Sequence, residues 1–172
     1  MKKFFFAGWV LLVFFTAFDS ARLSFVAAPF YASKPVKYGL FAEEIVSMKG
    51  LHEMQARKEK FVLLDARGKS SYDQEHIAGA ILPLTGRYYE KEDLFRKGLL
   101  KALPDRDADL AESMKKYPKE MPIVTYCSVD CQASAVLLLQ LKRLGFINVR
   151  AMTDGFQNWQ AAGYSVEPKI VR

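Results

Sequence analysis

The sequence predicts an α/β domain with a central, mainly parallel, five-stranded sheet and helices on both faces. Three observations predict it. FVLLD (61–65) and PIVTY (122–126) are continuous apolar runs of the length and β-branched character of strands buried on both sides. EIV (44–46), the short run around Ala80–Leu82 and NVRAM (148–152) supply three more short strands. Helical patterns separate them, and that alternation implies crossovers and parallel neighbours.

The 172-residue chain suits one domain with appendages. Its net charge of +6 is mild, and basic and acidic residues interleave, as in ARKEK (56–60). Such runs are solvated surface, and no nucleic-acid partner is expected. There is no internal repeat.

The N-terminus differs. Lys2 and Lys3 precede the unbroken apolar run FFFAGWVLLVFFTAF (4–18), closed by Asp19 and Arg22. A basic head before such a run has the form of a secretory signal. A bilayer span prefers about 20 apolar residues. Cleavage needs small residues at the last and third-last positions before the cut. Cuts after Ala17, Ala21 and Ala28 meet Phe15, Asp19 and then Pro29 just beyond. We therefore favour an anchor over a removed signal for residues 1–28. The basic head stays cytoplasmic, so the remainder is expected to be exported, periplasmic or anchored in the cytoplasmic membrane facing the periplasm. Residues 29–43, with two prolines and a glycine, read as a linker, and 44–172 as the domain.

Ser47 can cap a helix over 48–58, where Met48, Leu51 and Met54 recur at helical spacing. A short helix is expected at Ser70–Glu75. The stretch 88–117 carries two helical patterns, 90–101 and 107–116, separated by Pro104. It reads as a solvated excursion, with a lid or docking surface as the alternative. SAVLLLQLKRLG (134–145) is an apolar helix stopped by Gly145, and 154–163 a last short helix.

The only two cysteines, Cys127 and Cys131, sit in TYCSVDCQASA (125–135), where the second buried strand passes into the apolar helix. In parallel α/β folds, ligands bind where strand carboxyl ends meet helix amino ends. Such a loop turns backbone N–H groups inward, and the helix end adds about half a positive charge. A sulfur there is stabilised as thiolate. Cys127 is thus a candidate nucleophile, and Ser128, Val129, Asp130, Cys131, Gln132, Ala133 and Ser134 a candidate anion cradle. The bland reading is a small apolar residue at a strand end. Neither His52 nor His76 is near Cys127 in sequence.

Three motifs extend this reading. VLLDARGKSSYDQEHIAGAILP (62–83) contains Asp65, Arg67, Tyr72, His76, Ile77, Gly79 and Ala80. IVTYC (123–127) leads into the long helix and LGFINV (144–149). DGFQNWQAAGYSV (154–166) contains Trp159. In order and spacing these resemble a single rhodanese domain over roughly 44–168. The resemblance implies a sulfurtransferase with sulfane sulfur on Cys127 as a persulfide, loaded from a small sulfur donor and passed to a thiol or other nucleophilic acceptor. It implies no cofactor. It also implies framework roles for Asp65, Arg67, His76, Gly79 and Trp159. A carboxylate ending a buried strand with an arginine two residues on most simply forms an internal ion pair.

The loop departs from its family. Asp130 stands at the usual glycine and Gln132 at the usual arginine of Cys-x-x-Gly-x-Arg-Ser, and Asp154 replaces the first glycine of the last motif. An anionic donor such as thiosulfate gains less where no loop cation exists, by about 1–4 kcal/mol for a unit charge at about 4 Å. Phosphate-ester chemistry would need an arginine where Ala133 stands. Cys131 is a resolving thiol, a disulfide partner or a space-filler. Two cysteines without further ligands make no metal site. The alternatives to a sulfurtransferase are a thiol redox protein using Cys127 and Cys131, and a non-catalytic interaction module. No particular protein partner follows from the sequence.

Overall fold

The computed structural model describes residues 36–168. The expected N-terminal anchor and residues 29–35 of the linker lie outside the described residues. Among those described, no helix is long and apolar enough to cross a membrane.

The domain begins with a 3-10 turn, Ala42–Glu44, and strand β1, Ile45–Val46. Ser47 accepts the Gly50 N–H at 3.0 Å and caps α1, Met48–Ala56. β2 is Val62–Asp65, α2 Lys69–Gln74, β3 Glu75–Ile77 and β4 Ala80–Ile81. α3, Gly86–Arg96, and α4, Arg106–Met114, precede β5, Ile123–Tyr126. α5, Ala133–Arg143, β6, Val149–Met152, α6, Phe156–Ala161, and β7, Val166–Pro168, complete the described chain.

The five expected strands form one sheet in the order β1-β6-β5-β2-β4, parallel throughout. Asp65 pairs with Tyr126 and Tyr126 with Met152, so the three central strands end level. Side-chain alternation then divides the core. Val62 and Leu64 pack in one layer with Leu110, Leu137, Leu138 and Leu141. Leu63 faces the other, with Leu51, Phe156 and Trp159. Each fully buried leucine contributes about 1.5–3 kcal/mol, and this two-sided burial explains the unbroken apolar run at 61–65.

Three features differ from expectation. β3 and β7 form a separate antiparallel ribbon, pairing His76 with Glu167. Three-residue strands paired across the chain leave no local periodicity. α3 starts and stops earlier than 90–101. Thr85 caps its start by accepting the Tyr88 N–H, and Gly98, at φ +71, ends it with Leu99 N–H donating to Leu94 O. The stretch 88–117 is also more than a solvated excursion: Tyr88, Leu110 and Met114 enter the core. Asp109 ties the two helices together by accepting Thr85 N–H and Oγ1–H, both at 2.7 Å.

Candidate active site

Cys127 immediately follows β5 at the carboxyl edge of the sheet and is only 3% exposed. The chain turns at once into the loop 128–132 and then α5. Cys127 and Cys131 are joined as a disulfide, their Cα atoms 6.0 Å apart. Val129, Asp130 and Gln132 face solvent, Ser128, Cys131 and Ala133 are half-buried, and Ser134 is buried, its carbonyl accepting Thr125 Oγ1–H at 2.9 Å.

In this disulfide-bonded form two loop amides are already engaged. Val129 N–H donates to Gln157 Oε1 at 2.8 Å, and Ala133 N–H to Cys131 Sγ at 3.4 Å. Among the described residues, no loop N–H donates to Cys127 Sγ. The loop is fastened from below by α6: Phe156 N–H donates to Cys127 O at 2.8 Å. Gly155, at φ +89, is so close that a Cβ there would lie 2.4 Å from Val129 N. Only a glycine satisfies both conditions.

Asp65 and Arg67 form an ion pair below this edge. The guanidinium donates from Nη2 to Asp65 Oδ2 at 2.6 Å and from Nε to Oδ1 at 3.0 Å. The Asp65 side chain is 0% exposed and that of Arg67 6%. Tyr126 O–H donates to Asp65 Oδ2 at 2.6 Å and accepts the Ile77 N–H at 3.2 Å. Arg67 also reaches Glu75 O at 2.6 Å and lies 3.8 Å from the Phe156 ring centroid. One buried network therefore links the ends of β2 and β5 to α6, next to Cys127. Burial opposes the Arg67 charge, yet Asp65 holds its pKa above the usual value. Burial first, then the Asp65 charge, pushes the Tyr126 phenol up.

His76 lies between two residues that bond to this network, Glu75 and Ile77, but its ring has other partners. Its ring stacks on Tyr72 at 3.9 Å, with Nδ1 2.9 Å from Tyr72 O and Nε2 3.3 Å from Glu167 Oε2. Gly79 N–H meets the same carboxylate at 3.2 Å, and Trp159 is fully buried with its indole N–H on Ser165 O at 3.0 Å. Asp154 accepts Met48 N–H at 2.7 Å, so the residue at the family's glycine position ties α1 to the β6–α6 turn. Sequence reasoning missed Gln157 and Phe156 as loop supports. Their partners lie some thirty residues away, and no spacing signals them.

A cleft of about 810 Å³ lies between the β2–α2 turn and α3, lined among others by Ala66, Arg67, Lys69, Tyr89 and Arg106. Ala66 packs in the same buried cluster as Cys127. Lys69 pairs with Asp73 and Arg96 with Glu92. Among the described residues Arg106 has no carboxylate within 4.0 Å. No group of three or more His, Cys, Asp or Glu side chains that could hold a metal occurs among the described residues.

A parallel α/β sheet with a cysteine at the turn from a central strand into a helix, beside a buried Asp–Arg pair at the end of the neighbouring strand, defines the class of fold. The chain belongs to the Rhodanese-like domain family, whose profile matches residues 47–162. It is 28% identical over 106 residues to the thiosulfate sulfurtransferase GlpE of Coxiella burnetii, covering 61% of this chain and 77% of that protein. The Alr3790 protein from Anabaena sp. has the same fold, with a TM-score of 0.55 at 23% identity over 73% of this chain and 94% of that one. The BH2092 protein from Bacillus halodurans gives a TM-score of 0.55 at 21% identity, over 74% and 79%.

Proposed function

We propose that this protein is a sulfurtransferase that carries sulfane sulfur as a persulfide on Cys127. The observation that carries the reading is the family match across 47–162 with Cys127 at the turn between β5 and α5. The similarity to a thiosulfate sulfurtransferase supports it. In the reduced protein, Cys127 thiolate attacks the outer sulfur of a small donor. The donor's sulfur–sulfur bond breaks, and its electron pair leaves with the remainder, sulfite in the case of thiosulfate. Amides of the loop 128–134 that the disulfide form leaves free stabilise the resulting anion. Arg106, in the neighbouring cleft, is the cation available to an anionic donor that the loop itself lacks. Asp65, Arg67, His76, Gly79 and Trp159 hold the frame. The N-terminal segment tethers the exported domain to the cytoplasmic membrane.

The test uses reduced full-length protein in detergent with thiosulfate, a thiosulfonate or polysulfide. Sulfite or sulfinate release should be seen, and Cys131→Ser protein should gain one sulfur, about 32 Da, on Cys127. Cys127→Ser should abolish both. No donor cleavage and no mass gain with any donor would overturn the reading. Protease treatment of spheroplasts tests the location: the domain should be digested while a cytoplasmic marker survives.

The Cys127–Cys131 disulfide favours a second reading, a thiol redox protein. Donor cleavage separates them, since a redox protein cycles between two thiols and none without consuming sulfane sulfur.

A further inference from the structure

The two cysteines are placed differently. Cys127 is buried, and its carbonyl is fixed by Phe156 N–H at 2.8 Å. Cys131 is half-exposed, and its Sγ accepts the N–H of Ala133, the first residue of the eleven-residue helix α5, at 3.4 Å. A helix amino end favours negative charge on a sulfur it contacts. The Cα atoms are 6.0 Å apart, within the range a disulfide spans, and the bond is formed. A second thiol is therefore held within bonding reach of Cys127, where it has the advantage of an intramolecular nucleophile. Asp130, exposed between them at φ 52, adds a carboxylate to the loop and disfavours the approach of anionic external acceptors.

We propose that Cys131 resolves the Cys127 persulfide, so that the protein releases sulfide and ends its half-cycle as the Cys127–Cys131 disulfide. This rests on the sulfur-carrying reading above. Cys131 thiolate attacks Cys127 Sγ, and a sulfur–sulfur bond forms between the two cysteines. The bond from Cys127 Sγ to the outer sulfur breaks. Its electron pair leaves with that sulfur as HS⁻, which keeps the persulfide proton. The outer sulfur is reduced to sulfide, and the two cysteine sulfurs are oxidised to the disulfide. A dithiol reductant must then restore both thiols, attacking at the half-exposed Cys131 because Cys127 is covered. The product is free sulfide rather than a sulfurated acceptor, and the partner class is a dithiol.

The experiment is a single turnover. Reduced full-length protein in detergent, freed of reductant and oxygen, receives one equivalent of thiosulfate or benzenethiosulfonate. Wild type should release close to one equivalent of sulfide with no added thiol, and its intact mass should fall by about 2 Da from the reduced form. Cys131→Ser and Cys131→Ala should each hold the added sulfur on Cys127 and release less than about a tenth of that sulfide. Wild type that holds the added sulfur stably, or Cys131 variants that release sulfide as fast as wild type, would overturn the resolving step while leaving sulfur carriage intact. Absence of added sulfur on the Cys131 variants together with absence of donor cleavage would overturn both.

Discussion

Replacing Gly155 by alanine tests whether the Cys127 loop is positioned by contact with the β6–α6 turn. Two costs can be separated. Gly155 has φ +89 and ψ 155, a region essentially confined to glycine, which costs an L side chain about 1–3 kcal/mol. The added Cβ would also lie 2.4 Å from Val129 N, 2.5 Å from Val129 Cα and 2.8 Å from the Ser128 carbonyl carbon. All three are backbone atoms, so no rotamer change relieves the overlap. Either the loop or the turn must shift by roughly an ångström, at a further cost of about 1–3 kcal/mol. Gly163 is the control. Its φ is +72, and nothing lies within 4 Å of an added Cβ, so it carries a positive-φ cost without an overlap. Urea unfolding of both variants should show Gly155→Ala less stable than wild type by about 2–6 kcal/mol, and Gly163→Ala by about 1–2. Sulfur loading should slow in Gly155→Ala, measured where the protein is still folded, and stay unchanged in Gly163→Ala. Equal stability of the two variants with unchanged loading would refute the close-approach argument.

Arg67→Met strips a fully buried carboxylate of its cation, with an expected cost of about 3–5 kcal/mol by denaturant unfolding. Asp65→Asn in the same chain should recover part of that loss, and an Arg67→Met variant within 1 kcal/mol of wild type would contradict it. Glu44 gives a pH test. Burial opposes its charge, but the hydrogen bonds from Lys142 and from Phe41 N–H hold its carboxyl below its ordinary value of 4.5. A folded pKa below the unfolded one makes this stabilisation complete above 4.5 and lost as pH falls through the folded value. Glu44→Gln should therefore cost about 1 kcal/mol near neutrality, and the gap to wild type should narrow on acidification below 4.5. A gap that widens on acidification would reverse the sign of the coupling.

The sheet was legible in sequence because its strands are buried on both faces, which leaves continuous apolar runs at 61–65 and 122–126. Helix ends were legible where a side chain closes them, as Ser47 does for α1. The β3–β7 ribbon was not, since Ile77 pairs with Val166 through the chain's tertiary course and not through local pattern. At the site, the position of Cys127 was legible from the strand-to-helix junction. Its supports were not, because Gln157 and Phe156 reach the loop from α6 and Tyr126 reaches Asp65 across the sheet. The insertion's role was hidden for a related reason. Tyr88, Leu110 and Met114 are scattered among charged residues, and only their convergence in one cluster with residues of β2, β5 and α5 makes them core.

The loop's departures from its family divide into backbone and charge. Asp130 adopts φ 52, the left-handed region, where aspartate is tolerated far better than a β-branched or bulky residue. The glycine position is thus filled by a residue that can take the turn a glycine takes. Gln132 occupies the N-cap position of α5 with no side-chain cap bond and faces solvent, so the arginine position keeps its backbone and loses its charge. Cys127 stands between β5 and α5 in this loop, and Asp130 adds a negative charge beside it. In the proposed reaction an anionic donor draws on cations outside the loop, and Arg106, on α4, lines the cleft with Ala66 and Arg67 and has no carboxylate within 4.0 Å among the described residues. An internal thiolate at Cys131 needs no such cation to reach Cys127. In the proposed cycle, the absence of a loop cation therefore weighs against anionic donors and not against attack by Cys131.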